Sequence, residues 1–193
     1  MKKVSFFLVI LLAFSGCSQK KNTSQQQAAK EDTTHYFEVA HYIQKQIEDV
    51  KKTPYYIYKI EVINGLKDST PINTPIFIDL AQNFIRADIN KSTSLKRNYI
   101  ENIFHDETTK TFTISYTTPN KDLEVQNIEV LLQEDGQTLK RIFIRKFLNY
   151  NDSSAIEQLS WKADEGFQIN RLVQMADKKE ISRQVSVVWN PKS

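Results

Sequence analysis

The sequence predicts an α+β fold, two amphipathic helices packed on a curved antiparallel β-meander of about seven strands. Three observations predict it. Apolar residues recur at helical spacing between Tyr36 and Val50, and again between Ile76 and Ala87. From about residue 100 onward the period changes to two, in short runs separated by turn-forming residues.

The chain opens with three zones. Lys2 and Lys3 give a positive start, Val4 to Phe14 form an apolar run, and Ser15 and Gly16 precede Cys17. This is the layout of a secretory signal, and the run falls short of the roughly 20 apolar residues a transmembrane helix needs. The segment Phe14-Ser15-Gly16-Cys17 resembles the lipobox of bacterial lipoproteins, with Phe14 where Leu is usual. That resemblance implies cleavage before Cys17 by signal peptidase II and acylation of the cysteine. Ser18, with no aspartate there, implies the outer membrane, on its periplasmic face. The membrane is thus the first expected partner, held through several acyl chains where one alone binds only reversibly. The whole chain also resembles small envelope lipoproteins of Bacteroidota, which implies an address and no activity.

Cys17 is the only cysteine, so lipidation leaves none for a disulfide and the fold rests on its core. The domains are read as a signal peptide at 1–16, a lipidated tether at 17–34 and one α+β domain at 35–193. Removing 16 residues from 193 leaves 177, enough for one domain with a substantial core. The chain has 26 basic and 23 acidic side chains; without Lys2 and Lys3 the balance is 24 to 23. No clustered basic excess marks a nucleic-acid partner. With four glycines in all, there is no glycine-rich phosphate loop.

Residues 18–34 hold no apolar side chain larger than Ala and read as a flexible tether with a reach of roughly 20–25 Å. Tyr36, Ala40, Ile43, Ile47 and Val50 then form the first helical stripe, with Thr33 or Thr34 as cap, Lys51 and Lys52 at the end and Pro54 as stop. Tyr55 to Ile63 is aromatic and β-branched, and Asn64-Gly65 suits a tight hairpin turn, so a strand is expected on either side. Thr74-Pro75 starts a second helix over 75–88, with Ile76, Leu80, Phe84 and Ala87 on its stripe. Asn90 to Asn98 is a polar connection.

Beyond it, Phe112, Ile114 and Tyr116 alternate with polar residues, as do Leu159 and Trp161. Phe167, Ile169, Arg171, Val173 and Met175 share a face, and so do Val185, Val187 and Trp189. Turn signals lie at His105 to Lys110, Pro119-Asn120, Asp135-Gly136, Asn151 to Ser154, Asp164 to Gly166 and Asp177 to Lys179. Short connections make sequential strands antiparallel neighbours, one face needing cover by the helices.

The chemistry is sparse. His35, His41 and His105 do not converge, and no metal site is expected. There is no free cysteine, no Gly-x-Ser-x-Gly and no cofactor motif, so no catalytic residue is assigned. The adjacent carboxylates Glu48-Asp49, Asp106-Glu107, Glu134-Asp135 and Asp164-Glu165 fall mostly at turns, where Asp serves the backbone. In the strand Leu139 to Leu148, Lys140, Arg141, Arg145 and Lys146 interleave with Ile142, Phe143, Ile144 and Phe147. They read either as a contact for anionic groups or, preferred, as a long strand whose lysines discourage edge pairing. Tyr55, Tyr56 and Tyr58 read as strand packing before they read as a sugar platform.

The expected function is that of a membrane-anchored envelope lipoprotein, a non-enzymatic binding or accessory module. Its partner would be an envelope protein or an amphiphile. The order of elements is similar to the lipoprotein-carrier (LolA-like) half-barrel, which implies a groove between helices and sheet; Phe84, Ile85, Phe143 and Trp189 are the candidates to line it. The alternative is an envelope hydrolase with a dispersed, carboxylate-based active site.

Overall fold

The computed structural model describes residues 36–190, all within one compact unit. The expected signal peptide, Cys17, the tether and His35 lie outside the described residues.

The fold is mostly β, with about 22% helix. Helix α1 (Val39–Lys52) leads into strands β1 (Tyr58–Ile63) and β2 (Leu66–Pro71). Helix α2 (Thr74–Arg86), a 3-10 turn (Ile89–Lys91) and the one-turn α3 (Thr93–Lys96) follow. Seven strands then run in sequence: β3 (Ile100–Asp106), β4 (Thr111–Thr117), β5 (Val125–Leu132), β6 (Leu139–Asn149), β7 (Ser153–Lys162), β8 (Gly166–Met175) and β9 (Glu180–Val188). They form one antiparallel sheet in the order β2-β1-β9-β8-β7-β6-β5-β4-β3.

This corrects the expected α+β fold of two helices on about seven strands. The Asn64-Gly65 hairpin does form, with both turn residues at positive φ (48° and 87°). The hairpin joins the sheet, however. β1 pairs with β9 from Tyr58↔Val188 to Ile63↔Arg183, giving nine strands in a single sheet. The helical residues also divide differently, because the polar stretch after α2 coils into the 3-10 turn and α3. Asp88 caps the first through Asn90 N–H and Ser92 the second through Leu95 N–H.

Both long helices start away from the expected cap. α1 begins at Val39, and its first turn is held from elsewhere: Ala40 N–H donates to Asp88 Oδ2 (3.3 Å) and Phe37 N–H to the Tyr116 hydroxyl (2.9 Å). Those side chains satisfy orphan donors that Thr33 or Thr34 was expected to meet. α2 is capped by Asn73, whose Oδ1 accepts from Ile76 N–H at 3.1 Å.

Residues opposite one another on neighbouring strands share a face, and one face is apolar and buried. Its first row runs Tyr116, Ile128, Ile144, Leu159, Ile169, Val185 across six strands. Its second runs Val130, Ile142, Trp161, Phe167, Val187. α2 buries Phe77, Ala81 and Phe84 against these rows. Phe84 meets the Trp161 ring edge-on at 5.1 Å, and Trp161 stacks on Phe167 at 4.9 Å. Each such side chain contributes about 1.5–3 kcal/mol by leaving water. Gly166 begins β8 where a Cβ would stand 2.7 Å from the Val187 carbonyl oxygen, so the close approach of β8 and β9 there needs glycine.

Candidate functional site: a cationic cleft beside the end of helix α2

The residues expected to line a groove do not line one together. Phe84 and Trp189 belong to the same closed cluster, 0% and 3% exposed. Ile85 packs half-buried at its margin. Phe143 pairs with Ser160 and Glu129, one residue out of phase with Ile142 and Ile144, and so lies on the opposite face of the sheet, 40% exposed. The space that would take an acyl chain is filled by Phe77, Phe84 and Trp161, all 0% exposed.

The basic strand divides the same way. Arg141 and Arg145 share the outer face with Phe143 and Phe147, each guanidinium stacked over a ring at 5.5 and 5.0 Å. Lys140 is the extra residue of a bulge against Leu131 and Leu132, and it is exposed. Lys146 has the phase of Ile142 and Ile144, so it turns inward and is 6% exposed. The four cations therefore form no single contact surface. Tyr56 and Tyr58 are exposed, with rings 4.9 Å apart, while Tyr55 bonds Asp49. His41 and His105 are exposed and far apart in the chain, and His105 stacks on Phe112 at 4.3 Å.

Lys146 opens the site that sequence reasoning did not assemble. One row beyond the apolar rows, Lys146, Glu157, Arg171 and Arg183 stand opposite one another on β6 to β9. Glu157, 1% exposed, accepts from Lys146 Nζ at 2.8 Å on one oxygen and from Arg171 Nε and Nη2 at 2.8 and 2.7 Å on the other. Lys146 also reaches Glu124 at 2.7 Å. Arg183 Nε donates to Glu61 at 2.6 Å, and Lys59 holds the other Glu61 oxygen at 2.9 Å.

Burial works against the charge on Lys146, but the hydrogen bonds and charges of Glu124 and Glu157 outweigh it and hold its pKa above the ordinary lysine value. Glu61 is pulled below the usual carboxylate range by its hydrogen bonds to Lys59 and Arg183.

Beside this row, the end of α2, the loop before β5 and the end of β6 enclose a cleft of about 750 Å³. Asn83 and Arg86 come from α2, Lys91 from the 3-10 turn, Lys121 from the loop, Tyr150 from just beyond β6 and Arg171 from β8. A side pocket of about 110 Å³ adjoins it, sharing Asn83 and Arg171. Across cleft, pocket and ion network stand the cations Lys59, Arg86, Lys91, Lys121, Lys146, Arg171 and Arg183, against Glu61, Asp122, Glu124 and Glu157. Arg86 and Lys121 meet no carboxylate among the described residues. An excess of fixed cations in a concave site raises its attraction for anions.

The signal for this site was present in the sequence. Lys146, Glu157 and Arg171 each interrupt an apolar stripe at its own period, after Ile142 and Ile144, between Ala155 and Leu159, and between Ile169 and Val173. Register alone brings the three together.

Among the described residues no group of three or more His, Cys, Asp or Glu side chains is placed to hold a metal ion, and no helix is long and apolar enough to cross a membrane. No protein-family model, curated protein or solved structure matches this chain.

Proposed function

We propose that the protein is an envelope lipoprotein, anchored through Cys17 on the periplasmic face of the outer membrane, that acts as a non-enzymatic binding module for an anionic ligand. One observation carries the ligand class: Arg86 and Lys121 face the 750 Å³ cleft without carboxylate partners. Binding is favoured over the hydrolase alternative because Glu157, the buried carboxylate of the adjoining side pocket, already has both oxygens occupied by Lys146 and Arg171. It is not free to take a proton from water or to attack.

The test uses the full lipidated protein in neutral detergent at low salt, with inorganic phosphate and a uronic-acid oligosaccharide as separate probes. At least one should raise the melting temperature in a saturable way. The pair Arg86→Glu and Lys121→Glu should abolish the oligosaccharide effect, while Lys67→Glu on exposed strand β2 leaves it unchanged. If neither probe stabilises the protein, or if Lys67→Glu matters as much, the cleft is not the site.

A further inference from the structure

The structure assigns the 110 Å³ side pocket, resting on the reading of the cleft as an anion site, to a phosphate-type tetrahedral oxyanion held between Arg171 and Arg183. The two arginines stand directly opposite across β8 and β9, on the face turned toward α2. Like charges opposed in this way destabilise a sheet. Two glutamates relieve the repulsion only in part, because each takes one edge of one guanidinium. Arg171 gives Nε and Nη2 to Glu157, and Arg183 gives Nε to Glu61. Nη1 of Arg171 and both terminal nitrogens of Arg183 are left to donate.

Leu80 and Asn83 of α2 line the pocket between them on the helix side. Its volume equals that of about three or four waters at roughly 30 Å³ each, the scale of a compact oxyanion that keeps water on its open side, where the Arg183 side chain is 55% exposed. A planar carboxylate takes its donors in one plane, whereas a tetrahedral group presents oxygens in two directions and matches donors from two arginines on facing strands. The wide cleft, joined at Asn83 and Arg171, leaves room for the body of a phosphate ester.

Calorimetric titration of inorganic phosphate into the lipidated protein in neutral detergent tests this. Saturable binding is expected, weakened about ten- to hundredfold in Arg183→Gln, the scale of losing a hydrogen bond to a charged group. Arg183→Lys should stay weakened, since an ammonium lacks the fork. Lys59 still holds Glu61 in both variants, so their melting temperatures should match the parent. Uronic-acid oligosaccharide binding, which depends on Arg86 and Lys121, should be unaffected. Displacement of phosphate by glycerol phosphate would identify a soluble ester, and displacement by phosphatidic acid in phosphatidylcholine vesicles a lipid headgroup; either supports the subsite. If the oligosaccharide binds but phosphate does not, or binds Arg183→Gln as tightly, the subsite is overturned and the cleft stands. If neither probe binds, both fall.

Discussion

Lys146 and Glu157 face each other across β6 and β7, Nζ to Oε1 2.8 Å apart, on the buried side of the sheet. Both lie in phase with the apolar rows, where a charge is costly unless it is paired. Removing Glu157 would leave Lys146 to Glu124 at the rim and Arg171 with no acceptor. Glu157→Ala is therefore expected to lose roughly 3 kcal/mol or more, the usual result of breaking a buried pair from one side. The double variant Lys146→Met with Glu157→Leu should recover most of that loss, because no charge is stranded. Urea unfolding of the set measures it, and equal midpoints for wild type and Glu157→Ala would show that the network carries no stability.

Alkaline pH should unfold the protein through its tyrosines. Burial raises the phenols of Tyr42, Tyr99 and Tyr116 above the ordinary value of 10; Tyr99, with the Glu124 charge adding to its burial, is pushed up to about 12. A phenol ionises more readily in the unfolded chain, so their contribution is intact below pH 10 and is lost as pH rises above it, through the folded-state values. Lys146 acts in the same direction, since its raised pKa means that its ion pairs are lost as the folded form deprotonates. Absorbance at 295 nm and circular dichroism followed against pH check this. Phenolate signal from all the tyrosines near pH 10, with the fold intact, would contradict the burial of these three.

How much of this was legible in the sequence follows from the range of the interactions. Trp161 alternates with Ser160 and Lys162, and the strand phase by itself points it inward, as found. The Asn64-Gly65 turn is written in two residues with left-handed backbone. The strand that the hairpin joins is not: Tyr58 meets Val188 across 130 positions, and nothing local to either specifies the other. The ion network depends on the same long-range pairing. Lys146 is a sequence neighbour of Lys140, Arg141 and Arg145, but the bulge at Lys140 and the alternation of β6 part it from all three. The expected groove failed through phase as well, because Phe143 is odd where the core residues Ile142 and Ile144 are even.

Trp161→Ala should cost roughly 3–5 kcal/mol, the range for deleting a large buried aromatic. The side chain is 0% exposed, stacks on Phe167 and takes Phe77 and Phe84 edge-on at 6.4 and 5.1 Å. Four other rings, those of Phe77, Phe84, Phe167 and Trp189, line the space left behind, so the site cannot collapse without shifting α2. Trp161→Phe should lose less, about 1–2 kcal/mol, since it keeps the stack and opens a smaller void. Thermal unfolding of the two variants gives the comparison. A ring that could be removed without a change in melting temperature would belong to the surface.

Cys17→Ser tests the address on which the proposed function depends. The lipobox-like Phe14-Ser15-Gly16-Cys17 puts the thiol where a lipoprotein is acylated, and serine offers a hydroxyl of similar size that the acylating reaction does not use. The variant should fail to label with a fatty-acid probe and should keep its leader, running heavier by the 16 residues that precede the cysteine. Residues 18–34 carry no apolar side chain larger than Ala to pack on the domain, so the folded domain should melt as in the parent. Detergent partitioning separates the outcomes further. With several acyl chains the parent should partition almost wholly into the detergent phase, because anchoring strength rises by about 0.8 kcal/mol for each buried methylene. If Cys17→Ser is processed and acylated like the parent, the lipid anchor is wrong, and the cationic cleft would have to be assigned to a protein with a different address.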